Sequence, residues 1–168
     1  MSENKFKLSA IGNTDPRNTL GSTTSVEIFR ILRTALSNII ELQLGQENAK
    51  EAIYSSGLAV GGEIKKAFLS DVTELEDFAA KLKELLIGLK IGVMSIVSAD
   101  VENSEFVIRV DECVSCSGTP NIGEAICDFE GGVVAGVLSD FLGKQLKAVE
   151  TKCYGLGDSY CEFSVKPE

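Results

Sequence analysis

The fold class follows from residues 91–110, IGVMSIVSADVENSEFVIRV. Both halves of this stretch are rich in β-branched residues, and apolar residues alternate with others from Phe106 to Val110. The turn formers Asn103 and Ser104 separate the two halves. This pattern is typical of two antiparallel strands joined by a short connection. We therefore expect a β-hairpin in the middle of the chain.

Helical patterns fill the residues before this hairpin. Thr24 with Glu27, and Thr73 with Glu76, have the spacing of a capping box, in which two side chains bind free N–H groups at a helix start. Apolar residues then recur at intervals of three and four. The predicted helices span residues 24–43, 46–68 and 73–89. Because Gly45 separates the first two, we expect an N-terminal helical hairpin.

The chain after residue 110 is predicted to form one more helix and two more strands. The helix spans residues 123–142 and ends at Gly143, and the strands span residues 146–153 and 160–165. This order indicates an α+β fold, in which an antiparallel sheet of about four to five strands packs against α-helices. Residues 1–23 are rich in turn formers and are expected to form an N-terminal arm, with a single domain over residues 24–168.

The composition excludes several classes of protein. The 168 residues include 16 Lys and Arg against 25 Asp and Glu, a net charge of −9, so nucleic acid is not an expected partner. The sequence has no His, which removes the Ser-His-Asp triad and His-ligated metal sites. No apolar run reaches the roughly 18 residues of a membrane span, and the first residues lack a signal-peptide pattern. We expect a cytoplasmic protein without a membrane partner.

All the cysteines lie in the last third of the chain, at Cys113, Cys116, Cys127, Cys153 and Cys161. The first two have the spacing of a zinc knuckle, and the last two become close neighbours if Tyr154 pairs with Tyr160 in a hairpin. In a reducing compartment such residues are thiols or metal ligands. The favoured interpretation is a structural zinc site near the C-terminal hairpin. The alternatives are reduced cysteines without a metal, a redox-active CxxC pair and an iron–sulfur cluster.

Two segments, AICDFEGGVVAGVL at 125–138 and VETKCYGLGDSYCEF at 149–163, resemble the 4-vinyl reductase domain family, whose signature here spans residues 123–165. The chain resembles a stand-alone archaeal member. The resemblance implies a zinc ion held by Cys127, Cys153 and Cys161. It suggests Glu150 as the fourth ligand, whereas metal chemistry alone favours Cys113 or Cys116. Glu150 and Cys153 project to opposite faces of a regular strand, so Glu150 can join only if the strand bulges.

The resemblance also implies a function, namely a dimeric, zinc-stabilised domain that binds or senses a small hydrophobic ligand, with no catalysis expected. Candidate pocket residues are Phe29, Phe68, Phe78, Met94, Ile96 and Phe106. One alternative is a homo-oligomeric scaffold or assembly subunit. A second is a reductase acting on a vinyl group, as the name of the family suggests, although the sequence shows no dinucleotide-binding glycine motif.

Overall fold

The computed structural model describes residues 6–12 and 17–168. Within them the chain forms four α-helices and one sheet of four strands, which confirms the α+β prediction. The elements are α1 Val26–Leu44, α2 Gln46–Phe68, α3 Leu75–Gly88, β1 Val93–Asp100, β2 Glu105–Asp111, α4 Asp128–Leu142, β3 Leu146–Lys152 and β4 Cys161–Pro167. None of the helices in this part of the chain combines the length and the apolar character that a membrane span requires.

The sheet has the strand order β1-β2-β4-β3, and every neighbouring pair is antiparallel. The predicted hairpin is present as β1 and β2, with Asp100 opposite Glu105 at its end. Along β2 the buried residues alternate from Phe106 to Val110, and along β4 they alternate from Cys161 to Val165. One face of the sheet therefore carries the core, and the cysteine-bearing end of β4 belongs to that face.

Helices α2 and α4 pack against each other at the closest distance that two backbones allow. A Cβ atom added at Gly57 would overlap the carbonyl oxygen of Phe129, and one added at Gly132 would overlap that of Tyr54. Both glycines lie inside unbroken helices. They are present because any side chain would push the helices apart, and this contact fixes the start of α4 relative to α2.

Three predicted element boundaries differ from the structure. Helix α1 is capped by Ser25, whose Oγ accepts from the Ile28 N–H at 3.4 Å, and α3 begins after Glu74 without a side-chain cap. Helix α4 begins five residues later than predicted, because Gly123 has a positive φ of 79° and its N–H donates to the Gly155 oxygen at 3.0 Å. The backbone before α4 is thereby tied to the loop between β3 and β4.

Helix α1 lies on the outside of the helical layer. Its half-buried stripe includes Phe29, Arg33 and Ile40, whereas Leu32 and Ile39, which helped to predict the helix, are 60% and 53% exposed. An amphipathic helix of a monomer normally turns its apolar stripe toward the core. In α1 this stripe faces away from the rest of the chain.

The predicted N-terminal arm is described only in part, since residues 1–5 and 13–16 lie outside the described residues. Leu8–Ile11 forms a single 3-10 turn, and Leu8 packs against the core. Lys7 forms an ion pair with Glu63 of α2 at 3.6 Å. Some residues before position 24 are therefore attached to the domain.

Candidate metal centre

All five cysteines converge at the end of the sheet next to the start of α4. Each is at most 1% exposed. Two groups of four donors can be drawn, and in each group all donor atoms lie within 4.8 Å of one another. The first consists of Cys127, Glu150, Cys153 and Cys161. The second consists of Cys113, Cys116, Cys127 and Cys161.

Four separate pieces of backbone bring these donors together. Cys161 is the first residue of β4 and lies opposite Val110 of β2. Cys127 is the N-cap residue of α4. Cys153 follows β3 directly, and its N–H donates to the Asp158 carboxylate at 3.0 Å, which closes the loop back toward β4. The predicted pairing of Tyr154 with Tyr160 is absent from the described strand register, since Tyr154 begins a 3-10 turn, yet the two cysteines still meet.

Glu150 reaches the cluster through a bulge in β3. Glu150 lies opposite Phe163 and Lys152 lies opposite Glu162, so Thr151 is an extra residue in the pairing. This inserted residue changes the side of the strand on which the following residues project, and Glu150 and Cys153 thus come to the same face. The condition under which Glu150 could join the site is met.

The Glu150 carboxyl group is placed as a ligand would be. Its Oε2 accepts from the Cys127 N–H at 3.0 Å. Its Oε1 is buried and has no hydrogen-bond partner among the residues that the structure describes. Burial, followed by the negative charge of Cys153, raises the pKa of Glu150 to about 8. A buried oxygen without a partner is costly, and a divalent cation bound there would remove that cost.

The sulfur atoms share too little space to be ionised together without a cation. Hydrogen bonding to neighbouring sulfurs, that of Cys113 first, raises the pKa of Cys127, and the pKa of Cys161 is raised in the same way. The hydrogen bond from Cys116 lowers the pKa of Cys153. Some sulfurs therefore keep their protons for others. A bound metal ion would replace these protons, because thiolates are the form that binds metals.

The loop after β2, Cys113–Ser117, is a compact turn held from two sides. The Ser117 N–H donates to the Cys113 oxygen at 2.9 Å. Arg30 of α1 donates from Nε to the Val114 oxygen at 2.7 Å and from Nη2 to the Ser117 oxygen at 2.9 Å. Because two carbonyl groups take their donors from one guanidinium group, α1 helps to hold the loop that carries Cys113 and Cys116.

A second arginine links α1 to the start of α4. Arg33 donates to the Ile126 oxygen and forms an ion pair with Glu130 at 3.8 Å. Ser115 donates to the other oxygen of Glu130. Desolvation, followed by the charge of Cys113, raises the pKa of the Glu130 carboxyl group. Arg30, Arg33 and Glu130 were not singled out from the sequence, and their only signal was two arginines three residues apart on an otherwise apolar helix.

The predicted pocket residues occupy two kinds of environment. Phe78, Met94 and Phe106 are at most 4% exposed and belong to the core, where Phe78 stacks on Phe141 with ring centroids 4.1 Å apart. The other three are Phe29 and Ile96, which are half-buried, and Phe68, which is 55% exposed. None of the six lines either of the two cavities described next.

Two neighbouring cavities open beside the cysteine cluster. One, of about 370 Å³, lies between α1, α2 and the loops before α4, with Ala49, Ile53 and Ile126 among its apolar lining residues and Arg30 among its polar ones. The other, of about 290 Å³, lies along the edge strand β3 and is lined in part by Cys127 and Glu150. Lys50, Ala125 and Asp128 line both cavities. The cluster is thus buried, but its residues reach solvent-accessible space.

Comparison with known proteins bears on the family and the fold. The profile of the 4-vinyl reductase domain matches residues 106–167, which contain all the candidate ligands. Over 158 residues the chain is 37% identical to an uncharacterized protein of Methanocaldococcus jannaschii, a match that covers 94% of this chain and 84% of that protein.

Two solved structures share the fold. A vinyl-4-reductase family protein from Methanocaldococcus jannaschii has a TM-score of 0.64 at 18% identity, covering 90% of this chain and 89% of that one. The phenol-responsive sensory domain of the transcription activator PoxR, solved with phenol, has a TM-score of 0.63 at 18% identity, covering 79% of this chain and 71% of that one. These findings confirm the resemblance seen in the sequence, and the chain belongs to the 4-vinyl reductase domain family.

Proposed function

We propose that the chain is a zinc-stabilised domain that binds or senses a small, largely apolar molecule, and that it acts as a homodimer without catalysing a reaction. The observation that carries this proposal is the buried set of Cys127, Glu150, Cys153 and Cys161 beside two cavities. The set supports a metal that fixes the walls of a binding site. The family and the sensory domain of similar fold support the binding role.

Zinc suits this donor set better than other common metals. Three thiolates and one carboxylate match its preference for sulfur and oxygen ligands in a tetrahedron. Four protein donors fill such a tetrahedron, so no coordination position is left for a substrate or an activated water. The set therefore supports a structural metal and a non-catalytic role.

The larger cavity is the favoured ligand site. Its volume of about 370 Å³ is near the lower end of the range for small-molecule pockets, which is about 300 Å³. Apolar walls from Ala49, Ile53 and Ile126 combine with the cationic Arg30 and Arg33. Such a lining suits a compact apolar body with one polar or anionic group, as in a phenol or a short fatty acid. Because both arginines also hold the loops of the cysteine cluster, a ligand here would contact the supports of the metal site.

A blocking substitution tests this proposal. Thr34 is exposed on α1 and lines the larger cavity, so Thr34→Trp should fill it without disturbing the core. Lys83→Trp, at an exposed position of α3, is the matched control. We expect the melting temperature of the zinc-loaded chain and of Lys83→Trp to rise in a series of phenols and short fatty acids, and that of Thr34→Trp to stay unchanged. Equal shifts in all three proteins would place the ligand elsewhere, and no shift would contradict ligand binding.

The predicted aromatic pocket remains the second candidate for the ligand site. Met94 and Phe106 lie deep in the core, so a ligand there would have to open the space between the helices and the sheet. Met94→Ala would enlarge that space. If the apolar ligand occupies this region, Met94→Ala should change the ligand series that raises the melting temperature, whereas Thr34→Trp should not.

The homo-oligomeric scaffold remains an alternative because of helix α1. Eight large apolar residues of α1 are 44% or more exposed: Val26, Ile28, Ile31, Leu32, Leu36, Ile39, Leu42 and Leu44. Ile28, Leu32, Ile39 and Leu42 recur at the intervals by which paired helices contact each other. Large exposed apolar faces usually mark interaction sites, and the common symmetric solution is a pair of identical faces. A second copy of α1 is the proposed partner in both functions.

A further inference from the structure

The cysteine cluster contains more donors than one tetrahedral ion uses. The five sulfur atoms and the Glu150 carboxylate provide six donors in one buried region. A single ion at Cys127, Glu150, Cys153 and Cys161 leaves Cys113 and Cys116 out of its ligand set. Yet both are at most 1% exposed and lie among the other sulfurs.

We propose that the chain binds a second divalent, thiolate-preferring metal ion through Cys113, Cys116, Cys127 and Cys161. Cys127 and Cys161 would then bridge this ion and the zinc ion proposed above, on which the inference rests. The result is a two-metal centre in which the tetrahedra of the two ions share the edge between Cys127 and Cys161.

The sulfur positions fit this second tetrahedron. With metal–sulfur bonds of about 2.3 Å, the sulfurs of a regular tetrahedron are about 3.8 Å apart. The Cys127 sulfur lies 3.9 Å from that of Cys113 and 3.3 Å from that of Cys116. The Cys161 sulfur lies 3.2 Å from that of Cys116 and 3.9 Å from that of Cys127. The shared pair is thus spaced as one edge of each tetrahedron.

The number of donors fits as well. Two separate tetrahedra require eight ligands, and two tetrahedra that share an edge require six. The two groups of donors overlap at Cys127 and Cys161 and together contain the six donors of the cluster. A mononuclear site has no use for the overlap, whereas an edge-sharing pair depends on it.

The electrostatic cost of the second ion is small. One divalent ion with three thiolates and one carboxylate has a net charge of −2. When the second ion binds, Cys113 and Cys116 release their protons to solvent, and the centre again has a net charge of −2. Burying charge is the main cost of such a site, and this cost does not increase. Arg30, held against the carbonyl groups of the Cys113–Ser117 loop, places a cation beside it.

The metal content of the full chain tests the inference. After incubation with excess zinc and removal of unbound ions, native mass spectrometry should find two zinc ions per chain. The Cys113→Ser/Cys116→Ser variant should bind one. Ser117→Ala, which changes the same loop but keeps all six donors, should bind two. One ion in the wild-type chain would overturn the inference and leave the proposed zinc site intact, whereas no ion would overturn both. Two ions in the double variant would also overturn it.

A measurement on the wild-type chain covers the case in which the double variant does not fold. The chain reconstituted with ¹¹³Cd should give two cadmium resonances that are split by coupling through the shared thiolates. A single resonance, or two without mutual coupling, would exclude bridging by Cys127 and Cys161.

Discussion

At the scale of single residues, Glu150 decides how the metal-free protein responds to pH. Its pKa in the folded chain is about 8, against an ordinary value of 4.5, because it is buried beside Cys153. The folded state therefore holds a proton that the unfolded state has lost between these values. Stability is highest below pH 4.5 and falls as the pH rises through about 8, by up to about 5 kcal/mol from this group.

Glu150→Gln should reverse its effect when zinc is added. Without metal at pH 8, the variant should melt at a higher temperature than the wild-type chain, because it buries no carboxylate. With zinc it should be the less stable protein, and its zinc affinity should fall by at least about 100-fold, the upper range for loss of a group that only orients a ligand. Calorimetry at pH 5 and 8, with and without zinc, would check both signs. A lower melting temperature in the metal-free variant at pH 8 would contradict this account.

Arg30 gives a second prediction at this scale. Arg30→Met keeps the length of the side chain but removes the donors of the Val114 and Ser117 carbonyl groups. Leaving part-buried acceptors without partners should cost about 1–3 kcal/mol and loosen the Cys113–Ser117 loop. Hydrogen exchange at the Ser117 amide should become faster. Arg17→Met, at an exposed position, is the control that should leave it unchanged.

At the scale of elements, the closeness of α2 and α4 can be tested with one methyl group. Gly132→Ala places a Cβ atom against the Tyr54 oxygen, and backbone atoms cannot rotate away as side chains do. Although alanine gains up to about 1 kcal/mol of helix propensity, we expect a net loss of about 2 kcal/mol or more. Urea unfolding would measure it. Gly88→Ala, in α3 with no atom within 4 Å of the new Cβ, should be neutral or stabilising.

The elements could be predicted because their signals are local. Gln46–Phe68 matches the prediction for α2, and Gly143, with a φ of 66°, ends α4 as predicted. The start of α4 could not be predicted, because it depends on a hydrogen bond from Gly123 to the distant Gly155. The bulge at Thr151 is equally non-local, since it exists only in the pairing with β4. The cysteines were visible in the sequence, whereas their overlap at Cys127 and Cys161 required the fold.

At the scale of the whole molecule, α1 connects the proposed dimer face to the metal centre. The outward side of the helix carries Leu32 and Leu36, and the inward side carries Arg30 and Arg33, which hold the loops around the cysteines. A shift of α1 along its partner would therefore move the supports of both cavities and of the cluster. This arrangement gives a physical route by which a ligand in the larger cavity would alter the dimer.

Charged substitutions on the outward side of α1 test the assembly. We expect the wild-type chain to have twice the 18.0 kDa mass of one protomer by light scattering. Leu32→Lys with Leu36→Lys should give monomers, because two copies would bury four uncompensated charges at their interface. Ile87→Lys, at a 48% exposed apolar position of α3, should remain a dimer. Since α1 contributes only a half-buried inner stripe to the core, the double variant should still fold and bind zinc. A wild-type chain that is monomeric at high micromolar concentration would leave this face without its proposed partner.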